Sequence, residues 1–160
     1  MDYIIADIPK DQIIKIKHLW ENLNAIHLMD SVYFKDYYKS FSFEKRIESF
    51  MQEKDENIKI SAITKENAIY GYCISTIHDT KGEIESLYIS EEIQKKGYGK
   101  RLVKLHTEWM KQNNCEKIVV AVSYGHNSVL DFYHKVGFYE RLIELEYKNR
   151  NDRSCMPDCE

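Results

Sequence analysis

The sequence predicts a mixed α/β domain, in which helices flank a sheet of parallel and antiparallel strands. Segments with the alternating pattern of strands and segments with helical spacing follow one another along the 160 residues. The apolar run 118–122 comes after a helical segment, and a continuous run of this kind is typical of a strand covered on both faces. A strand, a helix and another strand in this order predict a parallel pair joined by a right-handed crossover.

The amino-terminal third predicts one strand and two helices. Residues 3–8 have the composition of a strand, and Asp11 precedes apolar residues at helical spacing. Ser42 is suited to cap a second helix, whose apolar face repeats as far as Phe50. The stretch 25–41 between these helices is too aromatic for a plain linker, so its rings are expected either to fill core or to line a binding surface.

The middle of the chain predicts three antiparallel strands, because short polar turns separate three strand-like segments. Residues 58–62 alternate between apolar and polar, and residues 69–77 and 83–89 supply the next two segments. A helix with one apolar face is expected to begin near Tyr98 and to end at residues 113–114, just before the buried strand.

The carboxyl-terminal part predicts a short helix and a last strand. Apolar residues from Val129 to Val136 have helical spacing, and Gly137 is suited to end that helix in a left-handed conformation. The chain is then expected to enter a strand at Phe138. Its inward-facing residues would alternate with charged ones, and they are Ile143, Leu145 and Tyr147.

Composition is that of an ordinary soluble globular protein. Hydrophobic residues make up 43% and charged residues 31%, and no apolar run approaches the ~20 residues that a membrane span needs. The net charge of −3 and the pI of about 6.1 give no electrostatic support for binding nucleic acid or a membrane surface. A single domain is expected over residues 1–148, with a flexible polar tail at 149–160. Because no secretory signal is recognisable, a cytoplasmic location with reduced cysteines is expected.

The segment 82–105 carries the strongest functional pattern, which is a strand, a basic glycine-rich turn and a helix. Two glycines one residue apart let a backbone approach a ligand closely, and the first amides of the helix have no partner inside it. The helix dipole adds positive potential at the same point. Four cations reinforce this potential, and they are Lys95, Lys96, Lys100 and Arg101. The turn is therefore suited to a phosphorylated ligand.

Two common phosphate-binding patterns do not fit this turn. A dinucleotide-binding fingerprint would need glycine at Leu102, and a nucleotide P-loop would need glycine at Gln94 and a hydroxyl at Arg101. What remains is Gln94-x-x-Gly97-x-Gly99. This pattern resembles the coenzyme A pyrophosphate loop of the GNAT superfamily of N-acetyltransferases. Residues 127–138 resemble the second motif of that family, a short helix that ends in Phe-Tyr-x-x-x-Gly-Phe.

The resemblance implies the GNAT acyl-CoA N-acyltransferase fold, with a central mixed sheet whose two parallel strands splay apart, and acetyl-CoA as cosubstrate between them. It implies that the backbone of β-strand residues pairs with pantetheine and that loop amides hold the pyrophosphate. The residues that would contact the coenzyme are Leu87, Tyr88, Ile89, Gln94, Lys95, Lys96, Gly97, Tyr98, Gly99, Lys100 and Asn127. The family's asparagine usually lies one position earlier, where this sequence has His126.

Transfer of an acetyl group to a primary amine requires a proton acceptor. An amine with a pKa of about 10.4 is almost fully protonated at pH 7, and deprotonating it costs roughly 4.6 kcal/mol. Glu83 and Glu85 lie two residues apart on the predicted central strand and therefore on one face. Glu83 has the position, relative to Gln94, of the glutamate base in histone-type members of the family. A carboxylate there could relay the proton, or both could be solvent-facing partners of lysines.

The coenzyme thiolate that leaves must be protonated. Tyr133 stands four residues before Gly137, as the general-acid tyrosine of the family does, and a phenol with a pKa near 10 is protonated at pH 7. The alternative is that Tyr133 is a packed aromatic residue on the buried face of its helix.

The acceptor is expected to be a primary amine of a small molecule, attacked directly in a ternary complex. The stretch 25–41 would line the acceptor side, and the residues suited to a cationic amine are His27, Asp30, Tyr33, Asp36 and Tyr37. Other readings are a non-catalytic acyl-CoA sensor and an acetyltransferase for protein N-termini or lysines. The assembly, monomer or homodimer, stays open. No metal site is expected, because the tail pair Cys155 and Cys159 has no second ligand pair.

Overall fold

The structure is a computed structural model that describes residues 2–149, and it contains five strands and five α-helices. The strands are β1 (Ile4–Asp7), β2 (Ile58–Lys65), β3 (Ala68–His78), β4 (Lys81–Ile89) and β5 (Lys117–Val120). The helices are α1 (Lys17–Asp30), α2 (Lys35–Ser40), α3 (Phe43–Gln52), α4 (Tyr98–Gln112) and α5 (Asn127–Lys135). Short 3-10 segments lie at Lys10–Ile16, Asp55–Asn57 and Glu91–Ile93.

The described residues form two compact units. The sheet unit consists of residues 2–23 and 42–121, and it contains all five strands with α3, α4 and the beginning of α1. The helical unit consists of residues 24–41 and 122–149, and it contains the end of α1 with α2 and α5. No helix within residues 2–149 has the length and apolar character needed to cross a membrane.

The sheet has the order β1-β2-β3-β4-β5. The first four strands pair antiparallel with their neighbours, and β4 pairs parallel with β5. Glu66 and Asn67 both have positive φ, which is the backbone that a two-residue hairpin between β2 and β3 requires. The mixed sheet flanked by helices confirms the fold class predicted from the sequence.

Helix α4 lies against the sheet and buries one side of its surface. Leu102, Val103 and Met110 are buried among the apolar residues of the strands. Gly82 of β4 is required at this contact, because a Cβ there would lie 2.5 Å from the Met110 sulfur. On the amino-terminal side, Ser42 caps α3 by accepting a hydrogen bond from the Lys45 amide at 3.2 Å, as the sequence predicts.

A hydrogen-bonded chain of polar side chains is buried within the sheet unit. Ser61 donates to the Asp7 carboxylate at 2.6 Å, so its oxygen is left to accept from Nε2 of His106 at 3.0 Å. Nδ1 of His106 in turn accepts from Ser75 at 2.7 Å. The ring of His106 is fully buried, and burial lowers its pKa to about 3, so His106 is neutral in the folded protein at pH 7.

His106 is therefore expected to make folding acid-sensitive. The unfolded chain takes up a proton below pH 6.5 while the folded chain does not, so stability falls as the pH falls from 6.5 towards 3. At pH 4 the loss from this residue amounts to roughly 3 kcal/mol. His106→Gln keeps a donor and an acceptor but does not titrate. Urea unfolding at pH 7 and pH 4 should give a smaller loss for this variant, and an equal loss would contradict the assignment.

The helical unit exposes much of the aromatic stretch 25–41. Helix α1 runs on to Asp30, further than the sequence pattern indicates, and α2 has no buried residue. Tyr33 and Tyr37 are exposed, so the expectation that they fill core is wrong. Gly137 ends α5 with φ of 96°, as predicted.

The last strand predicted from the sequence is absent from residues 138–149, which have no helix or strand. Ile143, Leu145 and Tyr147 are each more than 80% exposed, so the prediction that they face inward is wrong. Alternation makes a segment competent to form a strand, but a strand also requires a neighbour that satisfies its backbone groups. The predicted tail lies outside the described residues, apart from Asn149.

Candidate active site

The parallel pair of β4 and β5 is short, and this leaves part of β4 with one partner strand. Lys81–Ile84 of β4 pair with Lys117–Val120, whereas the pairing of β4 with β3 continues to Ile89. Among residues 2–149, no strand therefore pairs with the β5 side of residues 85–89. Backbone groups of alternate residues point away from β3, so the half-buried residues Leu87 and Ile89, on either side of Tyr88, are the ones whose backbone can pair with an extended ligand.

A β-bulge lies at Glu85. Ser75 of β3 pairs with Ile84, whereas Ile74 pairs with Ser86, so Glu85 is an extra residue in β4. Arg46 of α3 donates two hydrogen bonds to Glu85, one to the backbone carbonyl at 3.2 Å and one to Oε2 at 3.0 Å. The other carboxylate oxygen of Glu85 accepts from Thr76 at 2.7 Å. These contacts fix the Glu85 side chain, and they suit a structural role at the bulge.

Glu83 has a different environment from Glu85. Its nearest cationic group is the Lys81 ammonium at 4.0 Å, and its side chain is partly buried. Burial raises the pKa of Glu83, and the negative charge of Glu85 raises it further. The negative charge of Glu85 therefore acts on the Glu83 carboxyl. A raised pKa makes the Glu83 carboxylate a stronger base, which favours its accepting a proton.

The glycine-rich loop follows β4 and is exposed from Gln94 to Gly97. The Gln94 side chain donates to the carbonyl of Ile89 at 2.8 Å and so fastens the loop to the end of β4. Lys95 and Gly97 have positive φ, of 60° and 88°. A Cβ built on Gly97 would have no heavy atom within 4 Å, so open space lies in front of this residue.

Helix α4 begins directly after Gly97, which is its N-cap residue and supplies no side-chain cap. The first backbone hydrogen bond of α4 runs from the Arg101 amide to the Gly97 carbonyl at 3.1 Å. The amides of Tyr98, Gly99 and Lys100 precede it and belong to the group of helix amides that seek outside acceptors. Arg101 lies over the Tyr98 ring, 5.5 Å from its centre. The loop and the helix end together have the features of an anion-binding site, which are helix amides without an intrahelical acceptor and the positive end of the helix dipole.

The helical unit holds the remaining predicted residues. Tyr133 on α5 is buried, and its ring makes edge contacts with Phe132 and Phe138 at centroid distances of 5.1 and 5.6 Å. Asn127 is the exposed first residue of α5, and His126 is its N-cap residue.

A cluster in the helical unit joins residues that are far apart in sequence. Nδ1 of His126 lies 3.1 Å from Oδ2 of Asp30, and Nε2 of His126 lies 3.1 Å from Nδ1 of His27. The sequence pattern indicates His27 and Asp30 only as acceptor-side residues and gives no sign of their link to His126. Among residues 2–149, no three acidic, histidine or cysteine side chains converge on a point that could hold a metal ion.

Several solved structures have a fold similar to that of this chain. An aminoglycoside acetyltransferase from an uncultured soil metagenomic sample, in complex with sisomicin, is 17% identical at a TM-score of 0.69 and covers 92% of this chain and 96% of its own. The PaiA N-acetyltransferase of Thermoplasma acidophilum, in complex with coenzyme A, is 19% identical at a TM-score of 0.68, with coverages of 90% and 94%. A mutant of the BH1408 protein of Bacillus halodurans is 16% identical at a TM-score of 0.74, with coverages of 91% and 99%.

Similarity in sequence leads to the same family. The uncharacterized N-acetyltransferase YobR of Bacillus subtilis (strain 168) is 29% identical over 63 residues, which are 39% of this chain. The chain spans only 26% of the length of that relative. The family model described as the acetyltransferase (GNAT) family matches residues 20–138. Because this match extends over most of the chain, the protein belongs to the GNAT family of acetyltransferases.

Proposed function

We propose that this protein is an acetyl-CoA-dependent N-acetyltransferase whose acceptor is a primary amine of a small molecule. The observation that carries the proposal comes from the sheet unit. Among residues 2–149, residues 85–89 of β4 pair with β3 alone, and the loop that follows them starts α4 at Gly97. Family membership supports the acyl transfer, and coenzyme A bound to the Thermoplasma relative supports the cosubstrate.

The proposed contacts follow the length of the coenzyme. The extended pantetheine arm carries amides that pair with the backbone of Leu87 and Ile89, beside Tyr88. The pyrophosphate accepts hydrogen bonds from amides of residues 94–100. Lys95, Lys96 and Lys100 add positive charge around it.

The proposed reaction is direct attack of the amine nitrogen on the thioester carbonyl. The carbon–sulfur bond breaks, a carbon–nitrogen bond forms, and the coenzyme leaves as a thiolate. Over the reaction the ammonium nitrogen loses two protons and the thiolate gains one. Glu83 is the proposed acceptor among the strand carboxylates, because burial and the nearby Glu85 raise its pKa. Tyr133 is the proposed donor to the thiolate.

A small-molecule acceptor is supported by the helical unit. Tyr33 and Tyr37 expose their rings, and Asp30 and Asp36 contribute carboxylates along the same stretch. Such a surface suits an amine that carries a second positive charge, through cation–π attraction of about 0.5–2 kcal/mol per ring and through ion pairing. The aminoglycoside acetyltransferase of similar fold acts on acceptors of this polycationic kind.

The stretch 25–41 is expected to affect the binding of dicationic amines more than the binding of monoamines. Asp36→Asn should raise KM about fivefold for a diamine or an aminoglycoside and leave a monoamine unchanged, because only the dication loses an ion pair. Steady-state kinetics with both amines test this expectation. Asp79→Asn is the matched control, since Asp79 lies in an exposed turn with φ of 55° that asparagine tolerates. If Asp36→Asn changes KM by the same factor for the dication and for the monoamine, residues 25–41 do not select the acceptor.

The direct test of the function is release of coenzyme thiol from acetyl-CoA across a panel of amines. The panel should contain aminoglycosides, polyamines, amino acids and peptides with free N-termini. Amine-dependent release together with an acetylated product in mass spectrometry is the expected result. Tight binding of acetyl-CoA without release for any amine would favour the alternative function, an acyl-CoA sensor.

A further inference from the structure

Three side chains of the helical unit form a continuous hydrogen-bonded chain, and the proton transfers described above use none of them. Asp30 lies at the end of α1, His126 directly precedes α5, and His27 lies one turn before Asp30 on α1. The two links of the chain are each 3.1 Å long. His126 is only 8% exposed, whereas Asp30 and His27 reach further towards solvent.

The direction of each hydrogen bond follows from the carboxylate at one end. Asp30 as a carboxylate can only accept, so Nδ1 of His126 carries a proton and donates it. In the neutral imidazole, Nε2 of His126 then has a lone pair and accepts from Nδ1–H of His27. Neutral His27 must in turn hold its lone pair at Nε2. The chain therefore ends at a nitrogen that accepts a proton.

We propose that Asp30, His126 and His27 form a proton relay, in which Nε2 of His27 binds the acceptor amine and takes its ammonium proton. This inference rests on the proposed N-acetyltransferase function. His27 is then a catalytic residue, since it touches the acceptor. His126 and Asp30 are positioning residues, since they act through His27.

The step balances in protons and charge. One N–H bond of the ammonium breaks, and its proton binds to Nε2 of His27. The proton on Nδ1 of His27 passes to Nε2 of His126, so the positive charge comes to lie on His126, whose Nδ1–H faces the Asp30 carboxylate. The amine becomes neutral and its lone pair is free to attack. Of the two protons lost by the nitrogen, the relay takes the one that leaves before attack.

The surroundings of His27 favour its neutral form before the reaction. The pKa of His27 is lowered to about 4; burial is the largest cause, nearby His126 adds to it, and Asp30 acts in the opposite direction. The other polar groups in this region come from α2. The Tyr38 ring packs on His27 at 5.5 Å, and the Lys35 ammonium donates to carbonyls at the end of α1. A carboxylate stabilises the imidazolium that forms on the histidine bonded to it, and in this chain that histidine is His126.

The relay is held in place from the side by further hydrogen bonds. The Tyr38 hydroxyl bonds to Ser123 at 3.1 Å, and Asn24 donates to the Tyr38 carbonyl at 3.0 Å. Gly125 adopts φ of 97° immediately before His126, which is a conformation that favours glycine. Tyr38, whose ring packs on His27, is therefore itself held by two hydrogen bonds.

The test is the pH dependence of kcat/KM for the best amine of the panel. His27→Gln removes the base, so kcat/KM should fall about 100-fold at pH 7. The deficit should shrink by about tenfold per pH unit as the amine loses its proton unaided, towards its pKa of about 10.4. Asp30→Asn keeps a side chain that accepts from His126, and it should show a smaller deficit of roughly tenfold with the same recovery at high pH.

His134→Gln is the matched control, because His134 is a histidine of the same unit that bonds to Glu140 outside the relay. Its kcat/KM should stay within about twofold of wild type at every pH. A pH-independent deficit in both relay variants, or no deficit in folded His27→Gln, would overturn the relay while wild-type turnover stands. Absence of amine-dependent turnover in the wild type would instead overturn the proposed function itself.

Discussion

Gly97→Asp is expected to abolish binding of coenzyme A. The change places a carboxylate in the open space in front of the α4 amino terminus, where the pyrophosphate is proposed to bind. At about 4 Å, two unit charges repel by about 4 kcal/mol at an effective dielectric constant of about 20. Partial exposure reduces this penalty, so affinity should fall at least about 100-fold in isothermal titration calorimetry.

Gly97→Ala is the matched control for the backbone of the loop. Both variants force a residue with a Cβ into φ of 88°, which costs about 1–2 kcal/mol of stability, but only aspartate adds charge. Alanine should therefore retain most of the affinity. If both variants lose affinity equally, backbone strain explains the result and the charge argument fails. If folded Gly97→Asp binds as wild type does, the pyrophosphate does not bind at this loop.

Tyr133→Phe is expected to lower kcat at least about 100-fold while the affinity for acetyl-CoA stays near that of wild type. The change keeps the ring that packs against Phe132 and Phe138 but removes the hydroxyl proposed to protonate the thiolate. An interaction made only in the transition state affects kcat and kcat/KM together. Steady-state kinetics combined with calorimetry separate these two quantities.

Tyr139→Phe controls for the loss of a tyrosine hydroxyl from the helical unit, because the Tyr139 side chain is exposed. Its kcat should remain within about twofold of wild type. Full turnover of Tyr133→Phe would mean that water or another group protonates the thiolate. If Tyr133→Phe lowers the melting temperature as well as kcat, the hydroxyl of Tyr133 stabilises the fold instead of donating a proton.

The parts of the fold that depend on local pattern could be predicted from the sequence. The start of α4 follows from a glycine pair and helical spacing, and the structure places Gly97 at the N-cap with the positive φ that glycine permits. The caps at Ser42 and Gly137 are likewise properties of a few neighbouring residues. In these cases local conformational preference and tertiary structure agree.

The parts that depend on distant partners could not be predicted in the same way. Ile143, Leu145 and Tyr147 have a strand pattern, yet pairing decides whether a strand forms. The bulge at Glu85 in β4 is bonded to Arg46 in α3. A contact between two distant elements cannot be predicted from the hydrophobic periodicity of either one.

The binding surface along β4 and the glycine-rich loop can be tested by hydrogen–deuterium exchange of the intact protein with and without acetyl-CoA. Saturating acetyl-CoA should slow exchange in residues 87–89 and 94–100, because these segments hold the amides proposed to bind the coenzyme. Exchange in β1, at the other edge of the sheet, should not change. Coenzyme binding observed by calorimetry without added protection in either segment would contradict the proposed site.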